Sequence, residues 1–306
     1  MTVKSHPDTL ACVRIGWTTA KRRGVFWRQM SPSRTPPAAV LRQLRKEVAF
    51  GCPVDACGCP YLTWHHFDPP WAQEKHHRPE GMIALCREHA DKADHGAFTI
   101  EQLRHLKIEA LKEPRAEVHG RFDWMRRDLL AAVGGNFYYR CPVIFELGNR
   151  RCIWFNRDDD GYLLLNFVMP SIAENARAGI EDNFWTVPTK ADDIVCPPSG
   201  RLVEVTYPNG DRFRAEFSTA ATADTLLSRY PVPVLQDVQS ELVFPLTIVE
   251  LWETVAGTTF EFGPRESRIG GITITGGFMA DIGGAGIHVD LPPAQLATLF
   301  PRAKGG

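Results

Sequence analysis

The chain has 306 residues, 44% of them hydrophobic and 23% charged, which is the composition of an ordinary globular protein with ample length for a core. Its 35 basic and 36 acidic residues leave a formal charge of −1, which argues against a wholly electrostatic nucleic-acid binder and leaves room for a local basic surface. No apolar run reaches the roughly 18–20 residues needed to cross a bilayer, and the first residues lack a secretory signal pattern, so the expectation is a cytoplasmic protein with no membrane partner.

In chain order, "ACVRIGW" reads as a strand, and "AKRRGVFWRQMSPSRTPP" is basic with interleaved aromatics. Lys21, Arg22, Arg23 and Arg28 there suit either phosphate contact or a solvated loop. "PPAAVLRQLRKEVAF" predicts a helix opened by proline, with Val40, Leu41, Leu44 and Val48 on one face. It runs into a cysteine cluster, "CPVDACGCPYLTWHHFDPPW", in which "YLTW" reads as a strand. From "TIEQLRHLK" to "MRRDLLAAVGG" the pattern reads as helical, with a break at Pro114 and a Gly-Gly stop. Beyond it, "YYRCPVIFEL", "RCIWFN", "YLLLNFVM", "RLVEVTY", "DRFRAEF", "LTIVELWE", "TTFEFG" and "GITITGGF" all read as strands. Asn209-Gly210 marks a hairpin of type I′, "RDDDG" a turn, and the glycine-punctuated "IGGITITGGFMADIGGAGIHVDL" tight β turns. The expected fold class is α+β, with 1–112 as an N-terminal domain plus extension, 113–135 as a helical linker, and 136–306 as a β-rich regulatory or assembly domain.

Two groups of residues carry chemistry. Cys52, Cys57 and Cys59, then Cys86 and His89 at C-x2-H spacing, form two short-spaced sets, the pattern of a four-ligand structural zinc. The preferred set is Cys52, Cys57, Cys86 and His89, with Cys59 as the alternative to Cys52. Cys12, Cys141, Cys152 and Cys196 are scattered and read as buried thiols. The second group is the doubled His65-His66, with Trp64, Pro69-Pro70 and Trp71 as a possible wall. The loop "QEKHHRPE" follows, carrying Lys75, His76, His77 and Arg78.

At "CPVDACGCPYLTWHHFDPPW" and "GMIALCREHADKADHGAF" the sequence resembles the HNH, or ββα-metal, endonuclease family, over about residues 40–110. Members build a β-hairpin and a helix around one divalent metal. The resemblance implies that His66 is the general base activating water, that His65 ligates a catalytic Mg²⁺ or Mn²⁺, and that the Cys/His set holds a separate structural Zn²⁺. A neutral imidazole suits the base role near pH 7.

Two positions depart from the pattern. Gly81 stands where the family has a central Asn, with His77 and Glu80 as nearby polar substitutes. Ala90 stands where the family places its last metal-binding His. Asp94, at i+4 from Ala90, keeps the helical phase of a second ligand. The resemblance therefore implies a DNA-cleaving enzyme, with RNA as an alternative substrate, inactivated by Ala90. Lys75, His77, Arg78 and Lys92 are its candidate nucleic-acid contacts. The fused β half suggests controlled cleavage, as in bacterial restriction or anti-phage effectors, and pairing with a protein partner or a second copy of the chain. The rival expectation is a non-catalytic, zinc-stapled module that binds nucleic acid or protein.

Overall fold

A computed structural model of the chain describes residues 33–300. The strand expected at "ACVRIGW" and the candidate phosphate contacts Lys21, Arg22, Arg23 and Arg28 lie outside the described residues, as does Cys12.

Pro37, with φ −57°, precedes helix α1 (Ala38–Glu47), which turns Leu44 and the following Val48 into the interior. A tight loop follows, then strand β1 (Leu62–His66) and strand β2 (Met82–Cys86), paired antiparallel with Leu62 opposite Cys86 and His66 opposite Met82. Every residue of β2 is buried. Helix α2 (Arg87–Asp94) leaves β2 directly, and α3 (Ile100–Lys112) opens with a reciprocal capping box between Thr99 and Gln102. Leu44, Val48, Leu62, Phe67, the β2 side chains and Leu103 make one small core among these elements.

The expected helical linker over 113–135 is instead two strands. β3 (Glu117–Arg121) pairs antiparallel with Phe184–Pro188 at the edge of a seven-stranded sheet. Leu130–Val133, buried on both faces, lies parallel to Leu246–Thr254 and antiparallel to Asn136–Tyr139. A four-residue apolar run has no period that separates a buried strand from a helix. Gly134 and Gly135, with φ of 56° and 73°, form the two-residue turn of that hairpin and do not stop a helix. The β half therefore begins at residue 117, ahead of the expected boundary.

The remainder is mostly sheet, as the strand patterns predict, with short helices at Ala223–Arg229, Pro233–Val238 and Pro293–Leu299. The seven-stranded sheet and a ten-stranded one share a core in which Phe145 meets Phe262 edge-on at 4.8 Å and Phe167 stacks on Phe213 at 4.0 Å. The fold is mixed α and β, mostly sheet. Leu202–Thr206 and Arg212–Ala220 form the expected hairpin, but only Gly210 has a positive φ, so its turn is not type I′. "RDDDG" joins Arg150–Arg157 to Leu163–Val168 as a turn, with Asp158 Oδ1 accepting from the amides of Asp160 and Tyr162.

The helical part is fastened to the sheets. Arg45 makes a two-pronged ion pair with Asp193, and Lys46 reaches Asp192 at 2.7 Å. The Tyr61 hydroxyl donates to Arg121 O at 2.8 Å and sits edge-on to Trp185. From Arg34 onward the chain forms one compact unit.

Candidate metal centre and histidine site

Cys52, Cys57, Cys86 and His89 converge, their ligand atoms all within 4.8 Å of one another. The Cys57 and Cys86 sulfurs are 3.8 Å apart, and His89 Nδ1 lies 3.2 Å from Cys86 Sγ and 3.4 Å from Cys52 Sγ. A tetrahedral ion bonded at ~2.3 Å to sulfur and ~2.0 Å to nitrogen requires S···S edges of ~3.8 Å and S···N edges of ~3.5 Å. The cluster has the dimensions to hold a metal ion such as zinc. Cys59 is half-buried beside the four and is not one of them.

The local backbone explains the convergence. Cys52 N donates to Cys59 O at 2.8 Å and Gly58 N to Cys52 O at 3.2 Å, folding the "CPVDACGC" loop back on itself. Gly58 sits at φ 62°, where a side chain would be strained. Cys86 and His89 are brought together because β2 passes into α2 at Cys86, so His89 lies in the first helical turn.

The doubled histidine lies toward the other end of the hairpin. His65 is buried and its Nδ1 is 3.0 Å from Asp94 Oδ1 on α2. Ala90 is also buried, one helical turn before Asp94. His66 is only 6% exposed and neither ring nitrogen has a hydrogen-bond partner among the described residues. Its ring is 4.8 Å from Trp71, 5.3 Å from His76 and 5.8 Å from His77, while His77 stacks on Trp71 at 5.2 Å. Burial pushes the His66 pKa down to about 4, and the neighbouring His76, His77 and Arg34 side chains add to it electrostatically. The His76 carbonyl favours the charged form slightly without reaching hydrogen-bond geometry. Burial likewise lowers His65, against the opposing pull of Asp94. Both imidazoles are therefore neutral at pH 7.

Gly81 is required by packing. A Cβ there would lie 2.0 Å from Asp68 O and 2.9 Å from His76 Cε1. The Gly81 carbonyl accepts from the amides of Phe67 and Asp68, closing the loop that follows β1. His76 braces this loop: its Nδ1 accepts from Arg78 N at 3.1 Å, which leaves Nε2 to donate to Pro69 O at 2.9 Å. From α3, Arg104 pairs with Asp68, and the Lys107 ammonium donates to Pro79 O and Met82 O while pairing with Glu47. These three residues carry no sequence motif, because their role depends on approach in space.

The expected nucleic-acid contacts divide. Lys75 is exposed, and His77 lies within the ring cluster. Arg78 is paired with Glu74, and Lys92 with Glu88 at 2.6 Å. Arg34, just before α1, is exposed and its charge reaches both His65 and His66. Trp71 flanks the histidines, whereas Trp64 packs against the small core with Arg45 over its ring. No helix among the described residues is long and apolar enough to cross a membrane. Set against known proteins, the chain matches no family model, no characterised protein and no solved structure.

Proposed function

We propose that the chain is an HNH-type, ββα-metal endonuclease that hydrolyses phosphodiesters of DNA, held in an inactive form by Ala90. The observation that carries this reading is His66. It is a buried, neutral imidazole with both nitrogens unpartnered, beside a histidine–aspartate pair on a strand–strand–helix frame. A pKa of about 4 leaves His66 free to accept a proton, and an arriving anionic phosphate would raise its basicity. Arg34 and Lys75 would steer that phosphate.

In this reading Cys52, Cys57, Cys86 and His89 hold a structural Zn²⁺ that staples the small core. His65 and Asp94 would hold a catalytic Mg²⁺ or Mn²⁺. Their 3.0 Å separation equals the ~3.0 Å edge of an octahedral site with bonds of ~2.1 Å. Such an ion supplies positive charge for the scissile phosphate and the leaving oxygen. Two protein donors make a sparse set, and position 90 is where a third would join on the same helical face.

Ala90→His should switch on Mn²⁺- or Mg²⁺-dependent nicking of plasmid DNA, and His66→Ala added to that variant should abolish it. Cleavage of RNA alone would assign the other substrate. The buried Ala90 and two-donor set favour a second reading, a zinc-stapled module that binds nucleic acid without cutting. A variant that loads metal yet cuts nothing would support it.

The β half would pair with a second copy of the chain. Its edge strand Ile272–Ile274 pairs with one strand only among the described residues and is exposed throughout, with Ile272 at 66%.

A further inference from the structure

A cavity of about 640 Å³ opens between the helical part and the sheets, away from the histidine site. The end of α1 and the following Phe50 form one wall and the end of α3 another; the turn after Phe184–Pro188 closes the third. Its size falls within the range of small-molecule sites. Most of the lining is apolar, including Phe50, Leu111, Pro114 and Pro188.

The charge is one-sided. Among the described residues, Lys46, Arg115 and Lys190 line the cavity and no aspartate or glutamate does. Lys46 is already paired with Asp192 behind the wall. Lys190 is exposed and has no carboxylate partner among the described residues. The Arg115 side chain has one hydrogen bond there, a long one of 3.4 Å from Nη2 to Cys52 O, and its Nη1 is buried without a partner. A lysine with no carboxylate partner and an arginine with an unpartnered Nη1 among the described residues, beside an apolar surface, call for an anion with an apolar body.

The backbone at this wall is also strained. Ala49 and Phe50 are consecutive non-glycine residues at φ of 48° and 59°, a left-handed pair that collects at sites where a ligand is held. Phe50 N donates to Arg45 O at 2.9 Å, which fixes this shape and sets the ring among the core side chains.

We propose that this cavity binds a small organic phosphate of nucleotide size. Its phosphate would lie between Lys190 and Arg115 and its ring against Phe50, Leu111 and Pro188. Arg115 also rests on Gly51 and Gly58 of the cysteine loop, so an occupant would touch the same side chain that packs on that loop. The site is independent of the endonuclease reading.

The test is calorimetric titration of the full, zinc-loaded chain with ADP, inorganic phosphate and adenosine, without added divalent metal. ADP should bind, and adenosine should bind at least about tenfold more weakly, as for loss of charge-assisted contacts. Lys190→Gln, on the surface, should weaken ADP about tenfold. Ala110→Trp, which fills the cavity from α3, should abolish binding while zinc content and melting temperature stay unchanged. Absence of ADP binding at millimolar concentration would overturn the proposal, as would equal affinity for adenosine or indifference to both variants. Loss of ADP binding in His66→Ala instead would move the nucleotide to the histidine site and equally overturn it.

Discussion

Replacing Gly81 by alanine tests whether the loop after β1 is built around a missing side chain. The added Cβ would stand 2.0 Å from Asp68 O, against an ordinary contact of about 3.4 Å, and 2.9 Å from His76 Cε1. Asp68 O is backbone, so no rotamer change relieves the overlap. Moving it by more than ~1 Å would break the bonds from the Phe67 and Asp68 amides to Gly81 O, 2.9 and 3.2 Å long, at about 1 kcal/mol each. It would also strain the His76–Pro69 bond, and overpacking adds about 1–3 kcal/mol. Gly81→Ala should therefore cost about 3–5 kcal/mol in urea denaturation. Zinc content should hold, because the metal cluster sits at the Leu62–Cys86 end of the hairpin and Gly81 beyond the His66–Met82 end. Gly81→Asn should be no better, so this departure from the HNH pattern is not repairable by substitution alone. A Gly81→Ala protein within about 1 kcal/mol of the parent would refute the reasoning.

Cys86→Ser should lose zinc and at least about 4 kcal/mol of stability, whereas Cys59→Ser should keep the metal; elemental analysis with thermal melts decides between the two thiols. Glu253 is buried with neither carboxylate oxygen partnered among the described residues, and burial, then the charge of Asp211, raises its pKa well above the usual carboxylate range. The folded state then keeps a proton that the unfolded chain releases above pH ~4.3, so stability from this group falls with rising pH at about 1.4 kcal/mol per unit. His65 and His66, with lowered pKa, act oppositely below pH ~6.5, so the difference between parent and Glu253→Gln isolates the slope; parallel curves from pH 5 to 8 would contradict it. Ile272→Lys should convert a self-associating chain to monomers in sedimentation, and a parent that is already monomeric at micromolar concentration would remove that interface.

Features written in contiguous residues were the legible ones. The short spacings of "CPVDACGC" and "CREH", the alternation around Asn209-Gly210 and the strand-rich second half each depend on neighbours in sequence, and the structure places them as their patterns imply. The loop spacing favours Cys52 with Cys59 as the alternative, and the fold brings Cys52 rather than Cys59 into the cluster. Leu130–Val133 was misread because a central strand buried on both faces has no polar alternation. His76 stands out in the sequence only as part of the "QEKHHRPE" loop, not as its brace, and Lys107 gives no signal. The first acts because Gly81 lets the backbone close upon it, and the second because α3 packs across the hairpin loop. Arg34 was passed over because a single exposed arginine before a helix resembles any solvated charge.

The proposed second metal centre beside His66 is incomplete only at residue 90. Anomalous diffraction from crystals of the Ala90→His variant grown with Mn²⁺, collected at the zinc and manganese edges, tests it most directly. A zinc peak is expected among Cys52, Cys57, Cys86 and His89, with a separate manganese peak among His65, Asp94 and the new imidazole, and no manganese peak there in the parent. Manganese absent from that position in the variant, or bound instead through His66, would contradict it.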